Sequence, residues 1–505
     1  MSKKLIRYVI VYLLGVLICL PLISYPGLID GISYPKLMFC LFLATPFFVF
    51  IVSDVHGDRT DFVTKSLFSF LVLSVLGILY SSFFDYRAVF GAPGRSNGII
   101  SIFLGLLFVY FGIFLQKHSQ ALILIKALII SSTLSSSLSL LSSLQVGPLI
   151  SPSLDFGNAD FRDNTNLLAP LFAMGVVGAI LLTFTSKKPL YLLSQLPSIV
   201  FIVKWSLLQS YLAIFLGIFV VVAIKRVNLV RFIPFFPVAI IVVYLSSLLV
   251  LSLNKFQVGS SIYERFQILN FARENFNLFT FLPQKIDGLS DYTYGVEFIS
   301  KTQFLDDFHN VFLQILFSYG FFVGLFIFLA FSSVFLRIES YSNQQLILLP
   351  LFTAFYVTLF FGILSANYMY FGLTILGFLI SRLDRKIVKK RDVERKMLSI
   401  LLSLLFVLPL YVSAVDMNRR FEISRLTFTY EESIEKIRVV EEITSRTEQI
   451  DDAEYRFFVA RNLFAIGECT RAERIILRIK ETNALEFRLY ELEKLRQEAI
   501  CIKDK

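Results

Sequence analysis

Apolar runs of membrane-spanning length recur along almost the whole chain, and they constrain the fold more than any other feature. Thirteen lie near residues 5–24, 35–53, 66–84, 99–115, 121–144, 167–185, 190–204, 208–225, 231–252, 311–336, 345–364, 366–382 and 397–415. A helix rises ~1.5 Å per residue, so about 20 apolar residues cross the ~30 Å hydrocarbon core of a bilayer. Short polar stretches break the runs, the pattern of an all-α polytopic membrane protein of 12–13 transmembrane helices. Only 17% of residues are charged, against about 25% in soluble domains. The first run, "LIRYVIVYLLGVLICLPLIS", lacks a small-residue cleavage site and reads as a retained span. Only "SANYMY" separates the runs near 345–364 and 366–382. Read as one span, they would place the C-terminal tail inside.

Orientation follows from lysine and arginine. Lys3, Lys4 and Arg7 precede the first span and place the N-terminus in the cytoplasm. Counting onward, "SKK" (186–188), "KRVNLVR" (225–231), Arg337 and "RLDRKIVKKRDVERK" (382–396) all fall inside. Much of the net charge of +10 therefore reads as orientation rather than nucleic-acid binding. Residues 1–253 hold nine spans, 254–310 a large extracytoplasmic loop, 311–415 four further spans and 416–505 a soluble helical tail placed outside. The tail carries 19 of 38 acidic and 17 of 48 basic residues. Its segment "YRFFVARNLFAIGECTRAERIILRI" places Ala460, Gly467 and Ala472 as in one tetratricopeptide-type (TPR-like) unit or a generic helical hairpin. Cys469 and Cys501 lie there and either pair, if the tail is outside, or stay free, whereas Cys19 and Cys40 sit in spans as packing residues.

The loop 254–310 contains "SIYERFQILNFARENFNLF", whose apolar spacing predicts an amphipathic helix at the membrane surface. Arg265 and Arg273 lie on one side of it, beside Tyr263, Glu264 and Glu274. They read either as headgroup contacts or as a diphosphate clamp, since guanidinium binds phosphate oxygens bidentately. His309, one of three histidines, closes the loop after Asp306 and Asp307, and Asn310 follows it. Either His309 is an inert interfacial histidine or it faces a site. Gly320, eleven positions on, would share its face on a continuous helix, and Gly324 completes a Gly-xxx-Gly face suited to close packing. Two further outer loops are polar: "GAPGRSNG" (91–98) around Arg95, and "FGNADFRDNTN" (156–166) around Arg162. Each is either a ligand-facing loop or an ordinary turn. No phosphate-binding "GxxxxGK[ST]" loop, "HExxH" or Cys/His metal cluster occurs, and the spans are nearly free of ionisable groups, which argues against an ion-coupled transporter.

With these residues in place, "FHNVFLQILFSYGFFVG" (308–324) resembles the signature of the O-antigen ligase and O-antigen polymerase superfamily. There a histidine and a polar residue open a span, and a glycine follows after nine more residues. His309, Asn310 and Gly320 match, as do Arg265 and Leu269 for the family's arginine with a leucine four places on. "FGNADFRDNTNLLAPLFAM" and "GAPGRSNG" are similar to further family segments, so the likeness covers residues 85–330. One departure is "KWSLLQSYLA" (204–213), where Gln209 stands in place of the usual arginine and Lys204 is the nearby alternative cation. Another is "NLFTFLPQ", which lacks the family's glycines.

The resemblance implies a GT-C-like membrane glycosyltransferase. Its donor would be a polyprenyl-diphosphate-linked glycan and its acceptor a hydroxyl of a glycan, lipid or protein. Its location would be a bacterial plasma membrane. His309 would be the catalytic base or, in the alternative, orient the diphosphate, with Arg265 stabilising the diphosphate. Arg95, Lys204, Gln209, Asn310, Arg162, Tyr263 and Arg273 would bind substrate, with no metal or cofactor and no nucleic acid. A protein partner for the tail fits the same picture. The competing readings are a lipid or glycan exporter, which would show repeat symmetry that the sequence lacks, and a non-catalytic scaffold acting through the tail.

Overall fold

The structure is a computed structural model that describes residues 3–23, 33–55, 98–143, 165–205, 207–253, 310–362, 365–381, 460, 463 and 469–481. Every regular element among them is helical. Fourteen are labelled here: α1 (Lys3–Cys19), α2 (Ser33–Val55), α3 (Ile99–Lys117), α4 (Ala121–Ser143), α5 (Thr165–Ser186), α6 (Leu190–Ser194), α7 (Leu196–Lys204), α8 (Leu208–Lys225), α9 (Phe236–Leu253), α10 (Val311–Tyr319), α11 (Phe321–Leu336), α12 (Asn343–Phe361), α13 (Ala366–Ile380) and α14 (Cys469–Glu481). Segments Lys3–Leu22, Ile100–Lys117, Ala121–Leu141, Leu167–Ser186 and Asn343–Phe361 are long and apolar enough to cross a membrane, and shorter apolar helices pack beside them. The chain is thus an all-α protein of membrane type. Large apolar side chains stay exposed on α9 (Val238, Val242, Val243) and α11 (Phe322, Leu325, Phe326, Leu329). That arrangement suits helices whose outer faces meet hydrocarbon.

The middle of the bundle is α12 and α13, almost every described side chain of which is buried. α13 lies along α3 in the same direction, with Ser381 Oγ donating to Gln116 Oε1 at 3.3 Å at their far end and Phe108 stacked on Tyr370 at 4.8 Å. The two backbones touch. A Cβ on Gly377 would overlap the carbonyl oxygen of Val109, and one on Gly112 would overlap that of Thr374. Lipid tails are as apolar as leucine, so helices in a bilayer gain little from hydrophobic burial and associate through close packing at small residues. α12 is tied to the same seam. Ser342 and Gln345 form a capping box at its start, and Gln345 Nε2 also donates to the carbonyls of Leu379 (3.0 Å) and Ser381 (2.9 Å) at the end of α13. Around α12 an aromatic cluster closes on Tyr356, whose hydroxyl lies 2.8 Å from Ser332 Oγ. Phe312, Phe335 and Phe360 pack on its ring at 5.2–5.7 Å.

The runs near 345–364 and 366–382 are two separate helices, α12 and α13. Two other expected spans take a different form. The run near 190–204 is broken into α6 and α7 at Gln195. The Gln195 side chain accepts from Ser132 Oγ (2.9 Å) and donates to Thr133 Oγ1 (2.7 Å) and to the carbonyl of Ile129 (3.1 Å), all on α4. Ser198 extends the network to Ser136 at 3.0 Å. These neutral polar groups join α4 to the broken helix where hydrocarbon offers no alternative partner.

The run near 311–336 is not one span either. Gly320 adopts φ 91° and ψ 159°, outside the helical region, and separates α10 from α11. The two helices then run antiparallel. A Cβ on Gly324 would lie 2.9 Å from Leu316 Cα, and Phe312 meets Phe328 edge-on at 5.4 Å. Gly320 therefore stands at the end of α10 and not on a helical face running through it. Gly320 serves the turn, and Gly324 packs against the chain's own preceding helix.

The expected spans near 66–84 and 397–415 and nearly all of the loop 254–310 lie outside the described residues. So does most of the tail. Of the proposed TPR-like unit, Ala460, Leu463 and α14 are described, and Ala460, Leu463, Ala472 and Ile475 are buried.

Gly377→Val is expected to lower the thermal midpoint in detergent strongly, because the overlap is with backbone and overpacking of this kind costs about 1–3 kcal/mol or more. Gly15→Ala, inside α1 with nothing within 4 Å of the added Cβ, is expected to hold or raise the midpoint slightly, since alanine is the better helix former.

Candidate functional site

Chain direction brings polar groups of five helices to one end of the bundle. α8 and α12 are antiparallel: Gly217 lies against Pro350, and Gln209 Oε1 would be 3.3 Å from a Cβ on Gly362. α8 and α5 run in the same direction, with Ser210 Oγ donating to the carbonyl of Ala169 at 3.2 Å. At the start of α13, Asn367 Nδ2 donates to the carbonyl of Leu167 in the first turn of α5, at 3.5 Å. Asn367 Oδ1 accepts from Lys36 Nζ of α2 at 2.6 Å. The starts of α2, α5, α8 and α13 therefore meet the end of α12. α10 begins nearby, since Phe312 packs on Phe360, at 4.9 Å between ring centroids. The opposite end carries the exposed Lys187, Lys188, Lys225, Arg226 and Arg231, with Lys225 Nζ 4.6 Å from the Phe184 ring centroid. These basic residues are thus separated along the helices from the polar end.

Asn310, Gln209 and Lys204 are the sequence-identified candidates that lie within the described residues. Asn310 is 3% exposed. Its Oδ1 accepts from Leu313 N at 3.1 Å, so it caps α10 and fixes the direction in which the chain leaves toward residue 309. Gln209 is 4% exposed, in the first turn of α8. Lys204, the last residue of α7, is exposed, with its ammonium 5.6 Å from the Trp205 ring centroid. The structure thus places Gln209 buried at the polar end and Lys204 exposed. His309, Arg265, Arg95, Arg162, Tyr263 and Arg273 lie outside the described residues.

Two residues at this end escaped sequence reading. Lys36 is 3% exposed and Asn367 1%. The expectation that spans are nearly free of ionisable groups is corrected at Lys36, the one charged side chain buried among the described residues. A signal was present. A lone lysine at the start of a span that the sequence orients outward runs against the positive-inside rule, and a polar residue follows closely after "SA" in "SANYMY". Among the described residues no group of three or more His, Cys, Asp or Glu could hold a metal ion.

Compared with protein-family models, with curated proteins and with solved structures, the chain matches none of them.

Asn310→Ala is expected to destabilise the protein by about 1 kcal/mol through loss of the cap, and Asn310→Ser to retain most of it. Thermal midpoints of the two variants in detergent check this. Equal midpoints for both would remove the capping role.

Proposed function

We propose that the chain is a membrane glycosyltransferase that moves a glycan from a polyprenyl-diphosphate carrier to an acceptor hydroxyl, as a polysaccharide polymerase or ligase. One observation carries this reading. His309, Asn310 and Gly320 stand at the spacing of the O-antigen ligase and polymerase signature, after an outer loop that holds Arg265 and Leu269. Two structural facts support it. Gly320 takes a backbone conformation that favours glycine, and Asn310 is a buried cap at the polar end of the bundle. Both signature positions therefore have a physical reason for their residue type.

In this reading the site acts where a lipid-borne diphosphate meets a water-borne hydroxyl. An imidazole with its ordinary pKa near 6.5 can accept the hydroxyl proton as the new glycosidic bond forms. His309 takes that role. The bond from the anomeric carbon to the diphosphate oxygen breaks, and the electron pair leaves with the diphosphate. Arg265 stabilises the developing charge, with Arg95 as a second candidate. A single displacement inverts the anomeric centre. Tyr263, Arg273 and Arg162 belong to outer loops and bind substrate in the same reading. The donor reaches the site at the outer face of a bacterial plasma membrane.

The tail belongs outside in this topology. Cys469 is disulfide-bonded, whereas Cys19 and Cys40 are free. Disulfides persist in oxidising compartments, so this bond supports an extracytoplasmic tail. A tail on that side is available to an acceptor glycan or a protein partner.

His309→Ala is expected to lower transfer by roughly 10²–10⁴-fold, the usual contribution of a general base. Cells carrying it should accumulate the lipid-linked donor and lose the product, as should cells carrying Arg265→Ala. Unchanged glycans with the variant protein at normal level would sink the enzyme reading. Reporter fusions after Lys505 are expected to report an extracytoplasmic C-terminus, and a cytoplasmic signal would remove one span from the topology.

A further inference from the structure

The ends of α5 and α8 bring cations from separate segments to one level of the bundle. The two helices run in the same direction and in one register. Ser210 bonds the carbonyl of Ala169, Gly217 lies against Val177, and Lys225 Nζ stands 4.6 Å from the Phe184 ring centroid. Lys187 and Lys188, which follow α5, are therefore level with Lys225 and Arg226, which close α8. A single helical turn, Val227–Val230, leads from Arg226 to Arg231. All five cations are exposed. No acidic residue occurs between Asp163 and Glu264, so neither segment supplies them with a carboxylate.

One basic residue complements the negative end of a helix dipole, and scattered ones suffice to orient a chain. Five of one sign gathered together repel one another and attract an anion. Lys187 adds a local sign. It has φ 55°, the left-handed conformation usual for glycine after a helix, so a cation stands where glycine would fit with less strain. The apolar neighbours decide what carries the anion. Phe184 beside Lys225, Leu190 and Leu193 on α6, and Phe232 and Phe235 after Arg231 are all exposed. A soluble polyanion would leave these side chains in water. A lipid covers them with its acyl chains while its phosphate meets the cations. We propose that this end of the bundle is a binding site for anionic phospholipid. Lys187, Lys188, Lys225 and Arg226 hold the headgroup phosphate, and Phe184, Leu190 and Leu193 lie along the acyl chains. The site is independent of the glycan-transfer reading and lies at the other end of α5 and α8 from the polar group.

The test uses the full chain in uncharged detergent, titrated with phosphatidylglycerol and, as the zwitterionic control, with phosphatidylcholine of the same acyl chains. Native mass spectrometry counts the bound lipid. The parent protein is expected to bind phosphatidylglycerol roughly 100-fold more tightly than phosphatidylcholine, with each pair of cations supplying about tenfold of the difference. Lys187→Gln with Lys188→Gln, and separately Lys225→Gln with Arg226→Gln, should each weaken phosphatidylglycerol binding by about tenfold and leave phosphatidylcholine binding unchanged. Lys225→Arg with Arg226→Lys keeps both charges and should bind like the parent. All four side chains are exposed, so thermal midpoints without added lipid should stay close to the parent's. The rise in midpoint on adding phosphatidylglycerol should shrink in both neutralised pairs. Equal affinity of the parent for the two lipids would overturn the assignment, as would parent-like phosphatidylglycerol affinity in either neutralised pair. Competition by glycerol phosphate as strong as that by the whole lipid would assign the face to a soluble anion and overturn the lipid assignment.

Discussion

The backbone contact between α3 and α13 is the constraint from which the rest of the arrangement follows. Gly112 and Gly377 let two helices approach until carbonyl oxygens of one occupy the space where side chains of the other would begin. Such a contact has almost no freedom to slide. It fixes where α13 starts, and so where Asn367 stands, and it fixes where α13 ends, where Gln345 hydrogen-bonds. α12 is thereby held at its first turn, and its aromatic cluster positions α10 and α11. In hydrocarbon, where burying leucine gains little, a seam of this kind and a few polar anchors carry most of the specificity.

Polar side chains inside the bundle divide into two kinds. Ser132, Thr133, Ser136, Gln195 and Ser198 are neutral and hydrogen-bond mainly to one another and to nearby backbone, so they join helices and complete their own requirements. The group at the polar end differs in charge and in position. It includes Lys36, it draws on several helix starts, and it lies beside the capped start of α10. A polar network that serves packing can sit at any depth.

Much of the architecture was legible in the sequence, because hydropathy and length decide where helices lie in a bilayer. The breaks within runs were not. "LYLLSQLPSIVFIVK" looks uniformly apolar, and only the Gln-Leu-Pro sequence around Gln195 hints that the helix restarts there, with Pro197 in the first turn of α7. Gly320 and Gly324 match a packing motif by spacing alone, yet one makes a turn and the other packs on its own hairpin. Spacing cannot distinguish them, since the difference lies in φ. Of the site, Asn310 and Gln209 were legible from motif resemblance. Lys36 and Asn367 were not, because their meaning comes from contact between helices more than 300 positions apart in sequence. Arg265 and His309 are candidates by sequence pattern alone.

The hairpin of α10 and α11 also bears on how the chain tolerates change in length. Its register is set by Leu316 against Gly324 and Phe312 against Phe328. One residue added or lost between Phe312 and Gly320 would turn the start of α10 by ~100° and move it by ~1.5 Å. The cap at Asn310 would then face a different neighbour, although no side chain had been replaced. The nine residues of α10 thus act as a spacer of set phase, and insertions or deletions there are more disruptive than most exchanges of one apolar residue for another.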